Sequence, residues 1–544
     1  MCNAILQADP GHGGALHLLG VAAHMAGDNE KAADLIGRAI EAWDATGGAD
    51  FSFHVNLGNA LRALGRFEEA EASYLTALQT APGYAEIHNN LGAVLNDLGK
   101  PREAAGSCRR ALEINNNYPE AHYNLGNALL ALEDAEEAER SFRQAAKLKP
   151  DYHDAHFNLG QLLKETRRLD QAVDCFRRCL EIDPEDAVDH NNLGISLHER
   201  GDLVEASDCY RRAIDLDPSQ VEAHNNLSKA LKDTGDLSEA EEMARRTISL
   251  MPDLAEAHNT LGTALREREE PDEALTCFDK ALELKPNYVE AISNRGVALS
   301  DLGEEEEAIA CYKRALKLNP NFAAAHLNLG NVLRKQGHFD EALVRYRKAL
   351  QINPEFAGLH EGLSCALLSE GNLEEGWREF EWRSTLRSFG PFTDKVWYGD
   401  DLAGKTILVW PEQGIGDQIM FANCLPDIVE QAANCIIEID RRLVPLFARS
   451  FPKAMVHGVY KFTGNYQVMR EGFKWLRDYP TVDLFCPIGS LPRFLRPTIE
   501  SFPEGNAFLK AAPDRVAYWR EKVMGLGPGR KVGVAWRSLL MNKI

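Results

Sequence analysis

The sequence predicts a mainly α fold, a solenoid of stacked helical hairpins, followed by a smaller α/β region. Three features carry that expectation: a repeat with a fixed 34-residue step, a proline that closes most units, and the loss of helical periodicity at Gly390-Pro391. The step is marked by a glycine at Gly58, Gly92, Gly126, Gly160, Gly194, Gly262, Gly296 and Gly330, with Ser228 and Ser364 in the same slot. A small residue recurs twelve positions later, from Ala70 and Ala104 through Ala308 and Ala342. The closing prolines are Pro82, Pro150, Pro184, Pro218, Pro252, Pro286, Pro320 and Pro354.

Each unit reads as two amphipathic helices with apolar residues three and four apart. Small residues at the Gly58 and Ala70 slots let the helices approach closely, and the proline stops the second helix. One hairpin cannot bury its apolar stripe alone, so neighbours must stack. The units run 51–84, 85–118 and onward in phase to 323–356. An earlier unit begins at Gly13, with Gly20, Ala32 and Ala39 in register, and residues 47–50 insert four residues before the next. A worn unit spans 357–390, where Gly376 replaces the expected alanine and Trp377 follows it. The pattern resembles the tetratricopeptide repeat family, which implies a right-handed α-solenoid of about ten to eleven repeats over residues 1–390. It also implies a protein or peptide partner on the concave face.

Composition sets further bounds. Charged residues make up 26% and apolar residues 44%, as in an ordinary folded domain. No apolar run is long enough to span a membrane, and Met1-Cys2-Asn3 opens without a secretory pattern, so a cytoplasmic location is expected. The net charge is −22, and residues 391–544 carry 20 basic and 16 acidic side chains, which leaves −26 on the first 390. That field disfavours nucleic acid and suits basic or neutral partners, or simply keeps a long array in solution. Of the eleven cysteines, Cys108, Cys175, Cys209, Cys277 and Cys311 share nearly one repeat position, the placement of small core residues.

Two polar ladders run through the repeats. The first is Asn56, Asn90, Asn124, Asn158, Asn192, Asn226, Asn294 and Asn328. Primary amides in a row would clamp the backbone of an extended peptide, or hydrogen-bond within and between repeats. The second is His54, His88, His122, His156, His190, His224, His258, His326 and His360. Equivalent residues of successive repeats stand about a helix-packing distance of 8–10 Å apart, too far to share an ion whose ligands lie about 2 Å away. No metal is expected there, and the imidazoles read as flat packing residues.

Beyond Pro391 the pattern becomes strand, glycine turn, helix, strand, the opening of a Rossmann-like domain. Strands are predicted at 406–410, 435–439, 455–459 and 482–486, with helices over 418–433 and 443–451. Between the first strand and helix lies Pro411-Glu-Gln-Gly-Ile-Gly-Asp417, in which Gln413, Gly414 and Gly416 form a candidate ligand loop. It is neither a Walker A loop nor a full dinucleotide fingerprint. Asp417 either caps the helix or takes a proton from an acceptor hydroxyl.

The segments Trp397-Tyr-Gly, Gly404-Lys-Thr-Ile-Leu-Val, Glu412–Asp417, Ser490-Leu-Pro and Lys531–Ser538 resemble the N-terminal half of a heptosyltransferase-like GT-B glycosyltransferase. Bacterial proteins fuse such domains behind tetratricopeptide arrays, an architecture similar to that of O-linked N-acetylglucosamine transferases. The resemblance implies an acceptor-binding half at 391–530, Asp417 as catalytic base, and 531–544 as the first strand of a second, sugar-nucleotide-binding domain. A start inside a repeat and a stop after that strand lead us to expect a fragment that binds acceptor but no cofactor. The nucleotide sugar belongs to the complete enzyme, which would act on protein or glycan hydroxyls. The alternative is a non-catalytic interaction scaffold.

Overall fold

The computed structural model describes residues 2–44, 50–383, 394–412, 414–459, 475–476, 479–503 and 508–524. Lys531–Ser538 and Gln413 therefore lie outside the described residues. The chain divides into two compact units, Met1–Lys285 and Pro286–Ile544. Among the described residues no helix is long and apolar enough to cross a membrane.

The first unit is built of helical hairpins in the predicted phase. Residues Phe51–Ala63 form a first helix, started by Asp50, whose carboxylate accepts from the Ser52 amide. The second helix, Phe67–Thr80, carries Glu68 and Glu69 in its first turn, where negative charge complements the free amides. The next hairpin is Ala85–Asp97 with Pro101–Ile114, and the alternation continues to Pro271–Leu284. The unit that begins at Gly13 is also present, as Gly13–Met25 and Asn29–Asp44.

Each hairpin turns through one residue with positive φ, again on the 34-residue step. Gly65, Gly99, Gly201 and Gly235 fill this slot with φ of 74°, 67°, 99° and 88°. Glu133, Arg167 and Glu269 hold the same slot at φ of 62°, 61° and 68°. A side chain in that region costs about 1–2 kcal/mol, so the fold imposes the turn even where glycine is missing.

The glycine that marks the repeat has a steric cause. A Cβ placed on Gly58, Gly126, Gly160 or Gly194 would come within 2.5–2.9 Å of the ring of Tyr74, Phe142, Phe176 or Tyr210. Each ring sits sixteen residues on and is fully buried. Ser228 breaks the glycine rule, and the residue sixteen on is then Ala244 rather than an aromatic one. Both are completely buried, and the Ser228 hydroxyl donates to the Ala240 carbonyl at 2.6 Å. In this repeat a larger residue on the first helix faces a smaller one on the second, which keeps the pair closely packed.

The second unit contains the hairpins from Val289–Leu302 to Leu373–Phe380 together with a four-stranded sheet. Its strands are β1 (Thr406–Trp410), β2 (Asn434–Asp440), β3 (Met455–Val459) and β4 (Leu484–Pro487), all parallel in the order β3-β2-β1-β4. One face buries Ile407, Val409, Cys435 and Ile437 against Phe421, Leu425, Ile428 and Phe447. The other packs Leu408, Ile436 and Phe485 with Trp475 and Tyr479. Burial on both faces explains why these strands read as continuous apolar runs. The helix expected over 418–433 is broken into Ile415–Phe421, a 3₁₀ turn at Ala422–Cys424, and Leu425–Gln431. Pro426 has no N–H to continue a helix, and it opens the next one instead.

The glycine–ring exchange makes a quantitative prediction for thermal unfolding of the full chain. Ala244→Phe alone is expected to destabilise by about 1–3 kcal/mol, because the ring meets the Ser228 side chain. The double variant Ser228→Gly, Ala244→Phe should recover most of that loss, a coupling of at least about 1 kcal/mol. Additive effects would show that the two positions do not share one volume.

Candidate functional site

The asparagine ladder lies along the first helices, with seven members half-buried and Asn192 buried. In the first unit its amides bond sideways, from one repeat to the one before. Asn124 Nδ2 donates to Asn89 Oδ1 at 2.9 Å, and Asn226 Nδ2 donates to Asn191 Oδ1 at 3.1 Å. Asn90 and Asn158 reach Asn59 and Asn127 at 3.1 and 2.8 Å. Asn56 pairs with His17 at 2.9 Å, while Asn192 donates to the Val188 carbonyl and accepts from Gln161. Asn294, in the second unit, is also engaged. A primary amide has two donors and two acceptor lone pairs, so a single sideways bond leaves capacity for a ligand.

Two cavities show where that capacity is exposed. In the first unit a cavity of about 430 Å³ is lined by Asn59, Arg62, Asn90 and Asp97. In the second unit one of about 470 Å³ is lined by Asn328, Asn331, Arg334, Lys335, Asp301 and Glu361, among others. Both are lined by the last two members of a triplet Asn-x₂-Asn-x₂-Arg, Asn59-Arg62 and Asn331-Arg334, and the second cavity also by the first member, Asn328. The buried ring beneath orients the middle residue: Tyr74 donates to Asn59 Oδ1 at 2.7 Å and Tyr346 to Asn331 Oδ1 at 2.8 Å. With the oxygen occupied, the N–H pair is what each of these asparagines offers a ligand. Arg62 is held by Asp97 at 2.7 Å, whereas Arg334 Nε is buried without a hydrogen-bond partner among the described residues. The sequence singled out the first member of each triplet and missed the other two; the three-residue spacing was the signal.

The histidine ladder has a role other than flat packing. In eight repeats the ring Nε2 meets the backbone carbonyl six residues before it, at 2.7–3.2 Å. That carbonyl belongs to the closing proline or, for His122, to Asn116. Each imidazole thus ties the loop between repeats to the helix that follows. Where Ile292 replaces the histidine, Arg314 donates to the Pro286 carbonyl instead, at 2.5 Å. Burial lowers the pKa of His156 and His326, and the bond to the proline carbonyl opposes that shift.

In the α/β part, Asp417 lies on the third residue of the helix Ile415–Phe421 and its carboxylate accepts from the Gly414 amide at 3.1 Å. This is helix-cap geometry. A Cβ at Gly416 would meet nothing within 4 Å, so the fold itself does not demand glycine there.

In open parallel sheets ligands sit at the carboxyl ends of the strands where the order reverses, here between β1 and β4. That place is filled by protein. Arg383 donates to both oxygens of Glu412, at 3.0 and 2.7 Å, and to the Ser490 hydroxyl at 2.8 Å. The Gly489 amide adds a bond to Glu412 at 3.2 Å. Arg383 and Glu412 are only 5% and 4% exposed. Burial opposes the guanidinium charge, yet Glu412 and Glu381 hold its pKa above the ordinary value. Elsewhere on the sheet, burial pushes the Glu438 carboxyl up to about 7. Arg383 was not foreseen, since nothing local in the sequence distinguishes it from a surface arginine.

Comparison with known proteins fits the repeat architecture. The family described as Cilia and flagella-associated protein 70 C-terminal domain matches residues 18–259. Tetratricopeptide repeat families match 255–288 and 323–356, 277–310, and 298–337. Protein FlbA of Caulobacter vibrioides is 42% identical over 177 residues, 31% of this chain and 29% of FlbA. The chain therefore spans less than a third of that relative's length. Among solved structures, the thermophilic TPR protein TTC0263 of Thermus thermophilus is 25% identical with a TM-score of 0.32, covering 34% of this chain and 100% of that one. YrrB, titled a TPR protein with an unusual peptide-binding site, is also 25% identical, with a TM-score of 0.27 and coverage of 36% and 98%.

The buried Arg383–Glu412 pair should behave as a unit. Arg383→Met is expected to cost the second unit about 3–5 kcal/mol, because it leaves a buried carboxylate unpaired. Arg383→Met combined with Glu412→Gln should cost distinctly less. Thermal unfolding followed by tryptophan fluorescence checks this, and equal losses in the two variants would contradict it.

Proposed function

Since the chain is a tetratricopeptide-repeat protein, we propose that it is an interaction scaffold that holds an extended segment of a partner protein against its first-helix surfaces. The observation that carries this reading is the recurrence of the same Asn-x₂-Arg pair, Asn59-Arg62 and Asn331-Arg334, in two cavities of similar size. Amide N–H groups bond backbone carbonyls, which every peptide has, and arginine adds a contact for a carboxylate. Such a surface grips main chain first and reads side chains second. The acidic balance of the repeats, −26 over residues 1–390, favours segments whose remaining charge is neutral or basic.

The test is a peptide-library screen on the full chain, followed by titration of the best binder. Asn331→Ala with Arg334→Ala should weaken binding by roughly tenfold or more, a loss of about 1.4 kcal/mol or more, while circular dichroism shows the chain still folded despite the lost Tyr346 bond. Undiminished affinity in that variant and in Asn59→Ala, Arg62→Ala would remove these pairs from the binding surface.

A second reading keeps the glycosyltransferase resemblance: the α/β part receives an acceptor hydroxyl, Asp417 acts as base, and a nucleotide sugar is the donor in a complete enzyme. It is supported by a parallel sheet whose first strand runs into the Gly414–Asp417 turn. The filled carboxyl ends of β1 and β4 favour the scaffold instead. Asp417→Asn in the product of the native gene separates them. Loss of nucleotide-sugar turnover at unchanged melting temperature supports the base, whereas a loss of about 1 kcal/mol with turnover retained supports the cap.

A further inference from the structure

The 34-residue step allows each position to be compared with its equivalents elsewhere in the same chain. Three successive helices of the first unit depart from their own pattern at one point. Asp189 stands where the other units carry Ile87, Ala121, Ala155, Ala223 and Ala257. Cys179 replaces the alanine seen at Ala77, Ala111, Ala145, Ala213 and Ala281. His153 occupies the slot of Ala85, Ala187, Val221 and Ala255.

The three departures converge. His153 opens the helix His153–Glu165, Cys179 lies in the last turn of Leu169–Ile182, and Asp189 in the first turn of Ala187–Arg200. Their donor atoms all lie within 4.8 Å of one another. His153 Nε2 and Asp189 Oδ2 are 2.6 Å apart, and the Cys179 thiol faces the His153 carbonyl at 3.8 Å. Asp189 and Cys179 are both 0% exposed, and Asp189 Oδ1 has no hydrogen-bond partner among the described residues. A carboxylate oxygen left unpaired in an alanine slot costs stability, unless something absent from the apoprotein satisfies it.

We propose that His153, Cys179 and Asp189 form a binding site for one Zn²⁺-class ion. Imidazole nitrogen, thiolate and carboxylate are the donors that such an ion takes, at about 2.0–2.3 Å, whereas a thiolate excludes Mg²⁺ and Ca²⁺. Small side-chain movements bring the three atoms from their present spacing onto one centre. His153 Nδ1 faces Asp154 Oδ1 at 3.5 Å, the carboxylate-behind-imidazole arrangement that orients a metal-bound histidine. His153 is only half-buried, so the ion enters from its side and a water completes the fourth position. Binding releases the thiol proton of Cys179, and any proton on His153 Nε2, to solvent.

Chelator-treated full-length protein, kept reduced, is titrated with CoCl₂ and then ZnCl₂. One Co²⁺ per chain should bind with a thiolate-to-metal charge-transfer band. Zn²⁺ should displace it and raise the melting temperature with increasing concentration. Cys179→Ala and Asp189→Ala restore the residue that other repeats carry, so both should stay folded by circular dichroism while losing the band and the Zn²⁺-dependent shift. Cys175→Ser, which copies Ser73 and Ser141 in the equivalent slot, should keep both. The site is refuted if the wild-type protein gives no thiolate band, if the band survives Cys179→Ala, or if Cys175→Ser abolishes it.

Discussion

The close approach of the two helices in most repeats depends on the fit between a glycine on one helix and a buried side chain, usually an aromatic ring, sixteen residues later on its partner. With 2.5–2.9 Å between the ring and any added Cβ, the helices cannot approach closely unless that glycine stays bare. The close approach in turn buries the alanines of the second helix and makes one hairpin a flat module that neighbours can stack on. At Ser228 the residue sixteen on is the smaller Ala244, so a larger side chain on one helix there faces a smaller one on the other. The ring also reaches the opposite surface, where the hydroxyls of Tyr74 and Tyr346 fix the asparagines that line the cavities.

Polar groups do a second job, which is to hold the stacking register. In eight repeats a histidine ties the inter-repeat loop to the next helix, and in the first unit asparagines bond from one first helix to the one before. On the second helices, pairs such as Arg109–Glu137, Arg177–Glu205 and Arg211–Glu239 repeat 28 residues apart. These ion pairs are largely exposed, so each contributes roughly 0–1 kcal/mol; the half-buried amide bonds specify register more sharply.

The α/β part follows another logic. Its sheet is apolar on both faces, and the polar chemistry gathers at the strand ends. Arg383, arriving from beyond the last described repeat helix, neutralises Glu412 and engages Ser490 there. Trp377 of that helix donates to the Arg496 carbonyl at 3.1 Å, so the worn repeat is fastened to the sheet domain by two side chains unlike those of the other repeats. Trp377 and Arg383 are therefore understandable as docking features of this repeat.

The repeat step, the hairpin phase and β1 and β3 were legible in the sequence, because each rests on local periodicity or on a contact at fixed separation. The broken helix after β1 was legible too, had Pro426 been weighed. Less was readable wherever two distant segments meet. The ladder of histidines was visible, but its carbonyl partners emerged only from the geometry of the loop. The sequence by itself determined a stack of helical hairpins with amides in register, since a 34-residue period with glycine and alanine at fixed offsets has few other ways to bury its apolar stripe. Only the tertiary structure decided which polar atoms were spent and which left over. It joined Arg383 to Glu412, opened the cavities around Asn59 and Asn331, and brought His153, Cys179 and Asp189 together, because such encounters depend on helix packing across dozens of residues and leave no local periodic trace.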